Sequence, residues 1–388
     1  MKFLSLLCCA FFLTIHTLTV AQNQIDLNEL LSRLDQNHMG AVSDVFTPEE
    51  LKVLKTHLNE VHGISNDANY SGPILEIYGP ENQGGDFGFI DANDLAVFNP
   101  IGPIGTNDFD GAGAIFPGSD TAHVIDNGGD FFEVDIITGD YILAGSIAPP
   151  PGESFTGMEF DTTTGRLYAI SSDGTTGTST LSEIDPVNMM ANPIGNTGLM
   201  VPIALAIDGS GNAYTYDIDT DFFYLVNLVT AVATSVGFIG FDASFGQGMT
   251  YDSVNDRILM TALNNTIVDT ELRSVNTTTG ATTLIGRVDP GTISQIGWAS
   301  VNDVPLGITD TAFSGFNFYP NPTGETTNLS ALTAIERVEV YTILGQNVLK
   351  QDIQATGATL QMGALNPGVY VLKVTINGQV GSYKFIKQ

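Results

Sequence analysis

The exported part of this chain lacks cysteine. Both cysteines, Cys8 and Cys9, lie inside an apolar run at residues 3–20, which follows a lysine and ends just before Ala21. This pattern predicts a signal peptide over residues 1–21, whereas the alternative, a lipoprotein signal, places its cysteine after the apolar run. Removal of that segment excludes a disulfide, a thiolate metal site and a cysteine nucleophile. The mature chain must therefore be stabilised by a large core.

Basic residues are also scarce. The 388 residues hold 13 Lys and Arg against 43 Asp and Glu, which gives a net charge of −30 at pH 7. Residues 22–315 carry 39 of the acids and seven basic residues, which are Arg33, Lys52, Lys55, Arg166, Arg257, Arg273 and Arg287. Such a surface repels nucleic acid and anionic membranes over long distances. We therefore expect no nucleic-acid partner and a preference for cations.

Long apolar runs are missing as well. After residue 21 no segment approaches the roughly 18 consecutive apolar residues that a membrane-spanning helix needs. The sequence therefore predicts no integral membrane span in the mature chain.

Residues 22–63 are predicted to form a helical N-terminal segment. Leucines recur at helical spacing between Leu27 and Leu34. A second helix begins at Thr47, which is the predicted N-cap, with Pro48 as the first helical residue and Glu50 as the partner in a capping box. Two helices this short do not fold alone, so we expect them to pack on the next domain or to stay partly mobile.

The chain repeats over residues 74–303. Three series recur five times each, with a period of about 45 residues. The series are Phe116, Phe160, Ile207, Tyr251 and Trp298; Asp91, Asp135, Asp185, Asn227 and Asn276, each after Ile or Val; and Gly102, Gly145, Gly195, Gly237 and Gly286. Each unit contains about four short strands separated by turn residues, which is typical of a β-propeller blade. A stacked array of β-sandwiches is the alternative.

The number of repeats predicts an all-β, five-bladed β-propeller. The last repeat has no second strand after Trp298, and the first repeat, which starts at Ile74–Tyr78, has no first strand of its own. We expect both ends to complete one blade, with Ile74–Tyr78 paired beside Ile293–Ala299, because closure removes exposed sheet edges. The pattern resembles bacterial propellers with Asp-x-x-x-Gly turns, but no single functional family. Residues 304–315 are predicted to be a linker.

Residues 316–388 contain four motifs in order. Turn residues, alternating strands and a hairpin signal at Asn377-Gly378 predict a small antiparallel, Ig-like β-sandwich. The order and spacing of the motifs resemble the type A C-terminal sorting domain of the type IX secretion system, found in Bacteroidetes. The resemblance assigns the sorting motif to Tyr319, Pro320, Asn321, Pro322, Gly345, Gly368 and Tyr370.

The resemblance implies where the protein is exported to rather than which reaction it performs. It implies the type IX secretion machinery as a partner and export across the outer membrane. It also implies the usual sequel, which is removal of the domain and attachment to the outer cell surface. A C-terminal sandwich without a sorting role is the alternative.

Two sets of acidic residues are candidate sites. Asp217, Asp219 and Asp221 stand at alternate positions of a turn, where carboxylate oxygens can converge on a hard cation such as calcium. This turn lacks the glycine and glutamate of an EF-hand loop, and a solvated acidic turn is the alternative. A second set lies on the connections between predicted blades, at one mouth of the channel, and consists of Asp108, Asp110, Glu153, Asp242 and Asp289.

Residues that catalyse reactions near neutral pH are few. Only one histidine, His123, lies in the repeats, at a strand position that Tyr168 and Tyr214 hold in other repeats, so we interpret it as a packed strand residue. No Gly-x-Ser-x-Gly, His-Glu-x-x-His, phosphate-binding or dinucleotide-binding motif occurs. Carboxylate pairs that cleave glycosides stay open, because their separation depends on the fold.

These observations favour a binding or adhesion module. We expect a secreted, surface-attached propeller that binds a surface glycan or protein through loops rich in Asn, Ser, Thr and Gly, with calcium as the one candidate cofactor. A polysaccharide hydrolase or lyase that uses the channel-mouth carboxylates is one alternative. A structural surface component is another.

Overall fold

The computed structural model describes residues 25–36, 38–62, 75–106, 108–289, 295–302, 316–320, 323–342, 346–377 and 379–388. The predicted signal peptide and linker lie outside the described residues, as do Asn321, Pro322 and Gly345 of the sorting motif. Within the described part of the chain, no helix is long and apolar enough to cross a membrane.

Two α-helices come first, as the sequence predicts. They are α1 (Leu27–Leu34) and α2 (Pro48–His62), with a 3-10 turn at Val42–Asp44 between them. The capping box forms, because Thr47 Oγ1 accepts from Glu50 N at 3.3 Å and Glu50 Oε2 accepts from Thr47 N at 2.9 Å. The apolar faces of both helices share one core with Phe245, Leu263 and Val268 of the repeat region. The helical segment is therefore packed on the next domain.

Twenty strands of the repeat region form five four-stranded antiparallel sheets, a propeller-like arrangement. Sheet I contains β1 (Glu76–Glu81), β2 (Asp86–Asp91), β3 (Asp94–Pro103) and β20 (Ser300–Val301); sheet II contains β4 (Ala112–Ile115), β5 (Thr121–Ile125), β6 (Asp130–Asp135) and β7 (Tyr141–Ser146); sheet III contains β8 (Ser154–Asp161), β9 (Arg166–Asp173), β10 (Thr178–Asp185) and β11 (Met190–Asn196); sheet IV contains β12 (Pro202–Ile207), β13 (Ala213–Asp217), β14 (Phe222–Val226) and β15 (Ala233–Phe238); sheet V contains β16 (Gly248–Asp252), β17 (Arg257–Asn264), β18 (Asp269–Val275) and β19 (Thr282–Arg287).

One strand of each sheet contacts the corresponding strand of the next sheet. These inner strands, β4, β8, β12, β16 and β20, follow one another in that order, and β20 also contacts β4. Glycine permits the close approach: a methyl group at Gly113 would overlap the indole ring of Trp298, and one at Gly157 would overlap the backbone of Ala204. The middle of the assembly is therefore filled, and the space left there is only about 10 Å³.

Sheet I joins the two ends of the repeat region. Ile77 pairs with Val301 and Tyr78 with Ser300, while Glu81 forms a bridge with Ile296. The inner strand of sheet I, β20, lies slightly later in the chain than the predicted Ile293–Ala299. The reason is that Trp298 packs against Gly113 of the neighbouring inner strand and fills the centre of the assembly. The fifth member of the aromatic or branched series is accordingly Val301 rather than Trp298.

The other two repeated series have clear structural roles. The Asp or Asn residues end the third strand of each sheet, and their side chains accept backbone N–H bonds from the turn, as Asp135 Oδ1 does from Ile137 at 2.8 Å and Thr138 at 2.9 Å. The repeated glycines lie on the outer strands beside register shifts, for example Gly145 opposite Phe131. Each glycine therefore marks a β-bulge in an outer strand.

The C-terminal domain is also β. Its strands are β21 (Asn317–Tyr319), β22 (Thr326–Thr342), β23 (Asn347–Gln361), β24 (Gly368–Ile376) and β25 (Gln379–Lys387). Hydrogen bonds join them in one sheet of order β21-β22-β24-β25, with β23 also on β22, whereas the predicted Ig-like sandwich has two sheets. The reason is the length of β22, whose start pairs with β21 and whose end pairs with β24, with register shifts between Ser330 and Arg337.

The described residues of the sorting motif are partly structural. The hydroxyl of the buried Tyr370 donates to the carbonyl oxygen of Asn366 at 2.8 Å, and the carbonyl oxygen of Pro320 accepts from Thr327 Oγ1 at 3.2 Å. Tyr319, in contrast, exposes its side chain. Gly368 begins β24 beside the ring of Tyr370.

Candidate functional site

A cavity of about 480 Å³ lies where the inner strands of all five sheets end. We call it the turn-side cavity, because four of the five inner strands, β4, β8, β12 and β16, turn there toward the second strand of their sheet. Its lining comes from every sheet and comprises Ile115, Phe116, Pro117, Glu159, Phe160, Thr162, Ile207, Gly209, Ser210, Thr250, Tyr251, Ser253, Asp256 and Val301. The cavity is therefore positioned by the strands rather than by one flexible loop.

Three aromatic rings line the turn-side cavity. Phe116 is 40% exposed and meets Phe160 edge to face, with ring centroids 5.3 Å apart. Tyr251 donates its hydroxyl proton to Asp256 Oδ1 at 2.8 Å. Burial, followed by the hydrogen bond to Asp256, raises the pKa of Tyr251 to about 12, so its phenol stays neutral at physiological pH.

Glu159 is the unusual member of the lining. Its side chain belongs to β8, between the apolar residues Met158 and Phe160, and the residue is only 7% exposed. Glu159 Oε1 accepts a hydrogen bond from the N–H of Phe160 at 2.9 Å, and within the described residues no basic side chain forms an ion pair with it. Burial raises the pKa of Glu159 to about 8, because it disfavours the charged form.

The polar lining is rich in hydroxyls and acids and poor in positive charge. Among the described residues, no Lys, Arg or His lines the cavity. Ser253 Oγ is buried and has no hydrogen-bond partner in the described part of the chain. His123 lies behind the lining, with its ring 5.6 Å from that of Phe160, and burial lowers its pKa. His123 is therefore a packed strand residue.

The opposite end of the inner strands is covered by the N-terminal segment. Gln295 Oε1 accepts from Val42 N at 2.8 Å, and Gln295 Nε2 donates to the carbonyl oxygens of Gly40 at 2.9 Å and Gly246 at 3.0 Å. The ring of His38 stacks on Phe245 with centroids 4.9 Å apart. The helical segment thus packs at the end that the sequence predicts to be the functional mouth.

The acids predicted to ring that mouth bond to their own surroundings. Asp110 is fully buried and accepts from Thr106 Oγ1 at 2.6 Å and from the hydroxyl of Tyr141 at 3.0 Å. Burial raises the pKa of Asp110 to about 7. The buried Glu153 accepts from Ser171 Oγ at 2.6 Å and Thr180 Oγ1 at 2.9 Å.

The remaining members of that set have similar local roles. Asp242 Oδ2 accepts from the side-chain amide of Asn265 at 3.1 Å, Asp108 Oδ1 accepts from Phe109 N at 3.0 Å, and Asp289 donates its backbone N–H to Leu95 at 2.7 Å. These five acids do not line the turn-side cavity. The turn-side cavity therefore lies at the other end of the inner strands from the predicted carboxylate site, and of the five acids Asp242 lines a separate pocket of about 510 Å³ beside the N-terminal helices.

The three aspartates of the predicted calcium site lie at and after the end of β13. Asp217 is buried, and its carboxylate accepts N–H bonds from Met200 at 2.8 Å, Val201 at 3.3 Å and Asp219 at 2.8 Å. Asp221 Oδ1 accepts from Ala243 N at 2.9 Å, and burial raises its pKa to about 6. Within the described residues, no group of three or more His, Cys, Asp or Glu side chains is placed to hold a metal. The calcium site stays a prediction.

Calcium binding at Asp217, Asp219 and Asp221 predicts a higher melting temperature in CaCl₂ than in NaCl of equal ionic strength. Both salts should stabilise this acidic chain by screening, but only a bound ion adds to that effect. Asp221→Asn should remove the calcium increment, whereas Asp94→Asn, an exposed change on sheet I, should keep it. Coincident melting curves in the two salts would contradict the metal site.

The chain matches one known family at its C-terminal end. Residues 317–388 match the secretion system C-terminal sorting domain. No curated protein matches the chain.

Solved structures resemble the chain only distantly. One is a nidogen/laminin complex, at 9% identity and a TM-score of 0.40, covering 73% of this chain and 96% of that one. Another is PorZ, a bacterial surface component of the type IX secretion system of Porphyromonas gingivalis, at 12% identity and a TM-score of 0.25, covering 84% of this chain and 57% of that one. A third is regucalcin, a calcium-binding protein from Agrobacterium tumefaciens, at 11% identity and a TM-score of 0.37, covering 69% of this chain and 85% of that one.

Likeness at these TM-scores carries no argument about function. The match at residues 317–388 does carry one, because it agrees with the ordered motifs of the sequence and with an all-β C-terminal domain. This chain ends in a type IX secretion sorting domain, which directs it across the outer membrane to the cell surface or the medium.

Proposed function

We propose that the five sheets form a closed five-bladed β-propeller, displayed at the cell surface, that binds a ligand in the turn-side cavity without turning it over. The observation that carries the proposal is the position of the cavity. All five inner strands end there, and at the opposite end the N-terminal segment bonds to Gln295 and Gly246, which precede β20 and β16. The turn-side cavity is therefore the approach to the centre that the N-terminal segment leaves open.

Ring closure is supported by the strand contacts. Each inner strand lies beside the next, β20 lies beside β4, and β20 completes sheet I by pairing with β1. A stacked array of sandwiches would leave a first and a last sheet without such a contact. The two-residue length of β20 matches its role as the element that joins the ends.

Ligand binding requires fewer specialised side chains in this cavity than catalysis does. The inner strands and the turns after them hold aromatic rings, hydroxyls and carboxyl groups on a rigid frame, which suits recognition. His, Cys and Lys, the side chains most often tuned for proton transfer, are missing from the described lining. We infer an adhesion or recognition role toward a surface glycan or protein.

The test uses the exported protein and a cavity-filling variant. Ser210 lines the cavity and is exposed in a turn, so Ser210→Trp should block the cavity with little effect on folding. We expect any polysaccharide or surface protein captured by the wild type to lose at least about tenfold in affinity toward this variant. Val187→Trp, an equally exposed turn change outside the cavity, is the matched control. Unchanged binding by Ser210→Trp would contradict the proposed site.

A polysaccharide hydrolase or lyase is the second candidate, and one observation favours it. Two carboxyl groups, Glu159 and Asp256, line the same cavity, and the pKa of Glu159 is raised to about 8, as a general acid requires. Release of reducing ends that vanishes in both Glu159→Gln and Asp256→Asn would establish this activity. A purely structural surface component would show neither ligand capture nor product release.

A further inference from the structure

We propose that the ligand of the turn-side cavity carries an organic cation, an alkylammonium group that enters between the aromatic rings and the two carboxyl groups. This inference rests on the proposed function and specifies the chemistry of its ligand. It follows from the composition of the cavity, from the charge around it and from the position of Glu159.

The composition of the cavity suits a cation with an apolar surface. Phe116, Phe160 and Tyr251 line the cavity, and aromatic rings attract ammonium groups within about 6 Å of their centroids. Glu159 and Asp256 supply negative charge beside those rings. The cavity of about 480 Å³ is large enough for a small organic ion rather than a bare metal.

The charge around the cavity also favours a cation. The chain has a net charge of −30, and the arginines of the repeat region are engaged by acids: Arg166 with Glu183, Arg257 with Asp252, Arg273 with Glu271, and Arg287 with Asp269. The long-range field therefore draws cations in and keeps anions out. An anionic ligand would also find no basic partner among the described lining residues.

A neutral ligand explains Glu159 less well than a cation does. The carboxyl group is buried at a cost, and within the described residues it has one backbone N–H as its hydrogen-bond donor. A sugar hydroxyl could donate a second hydrogen bond, but an ammonium group, with or without an N–H, provides the missing opposite charge. Ser253 Oγ, buried without a hydrogen-bond partner in the described residues, can accept from a primary ammonium group but not from a quaternary one.

Ionisation of Glu159 makes the proposal testable by pH. The titratable neighbours are Tyr168, its cross-strand partner on β9, His123 behind Phe160, and Tyr251 and Asp256 in the cavity. With burial raising the pKa of Glu159 to about 8, a cation must displace a proton below that pH. Affinity for a cation should therefore rise by about tenfold or more between pH 6 and pH 9, while affinity for a neutral molecule should not.

The experiment compares choline with 3,3-dimethylbutanol, its uncharged isostere, by titration calorimetry on the full exported chain. We expect choline to bind at least about tenfold more tightly than the isostere at pH 9, and the preference to shrink at pH 6. Ethanolamine, tested in parallel, shows whether a primary ammonium serves equally. Equal binding of choline and its isostere would overturn the proposal.

Three variants complete the test. Glu159→Gln should abolish both the choline preference and its pH dependence, and it should fold, because it replaces a carboxyl group that is already neutral at pH 7. Glu60→Gln removes the same charge from an exposed site on α2 and should change little. If choline binds Ser210→Trp as well as the wild type, the proposed site itself fails. If a panel ligand depends on Ser210 but choline does not bind, only the cation inference fails.

Discussion

Deletion of residues 316–388 is expected to leave a folded, signal-processed protein in the periplasm. The predicted signal peptide should still carry the chain across the inner membrane, but the sorting domain that the outer-membrane step requires is gone. The described core of that domain is separate, since its buried cluster contains no residue from the five sheets. The truncation should therefore abolish surface display without unfolding the rest. Cell fractionation with an antibody against the repeat region measures this.

Two controls make the export result specific. Residues 317–388 fused behind an unrelated periplasmic reporter should bring that reporter to the surface. Circular dichroism of the truncated protein should show the same β signal and melting temperature for the five sheets as the intact chain does. Normal surface display of the truncated protein, in a host with this secretion system, would refute the assignment of residues 316–388 as the export signal.

Asp269→Asn is expected to lower the free energy of unfolding by about 3–5 kcal/mol, the usual cost of removing one partner of a buried ion pair. Asp269 is fully buried; its Oδ1 lies 3.3 Å from Lys55 Nζ, and its Oδ2 pairs with Arg287. Burial raises the pKa of Asp269 and lowers that of Lys55, while their mutual attraction opposes both shifts. Removal of this negative charge takes away the ion-pair partner that Lys55 of α2 and Arg287 of sheet V share.

Urea unfolding of three variants isolates this effect. Lys55→Met should cost less, because Arg287 still pairs with Asp269 and the methionine keeps the apolar contacts of the stem. Glu183→Gln breaks the exposed pair with Arg166 and should change stability by no more than about 0.5 kcal/mol. A loss for Asp269→Asn as small as that of Glu183→Gln would show that the buried cluster contributes little.

Much of the fold follows from local chemistry. The capping box at Thr47 and Glu50 forms because both partners are three residues apart in the chain. The repeated Asp and Asn residues could be recognised because each serves its own turn, as Asp185 does for Val187 and Asn188. The bulge glycines recur for an equally local reason. Structural features that depend on a few neighbouring residues recur in the sequence as a periodic pattern, and can therefore be predicted from it.

The candidate site depends on contacts that leave no such mark. A carboxylate on a blade connection has the same sequence context whether it faces a pocket or, like Asp110, bonds to Thr106 and Tyr141. Closure of one end by Gly40 and Val42 requires Gln295, more than 250 residues away. The one available signal was Glu159, a charged residue in the apolar stretch of β8. The position of Glu159 in a cavity becomes apparent only when the ends of the five inner strands are brought together in the fold.

The last inner strand determines where a surface anchor would pull. Val301 lines the turn-side cavity, and Asn302 is fastened at its rim, since its side chain accepts from Gly118 N at 2.7 Å and donates to the carbonyl oxygen of Ser119 at 3.0 Å. Asn302 is the last described residue before the sorting domain. A pull on an anchor that follows Asn302 in the chain would therefore reach the rim of the cavity and the two-residue strand β20 before any other part of the five sheets. Tension from a surface tether would first load the strand that joins the two ends of the repeat region.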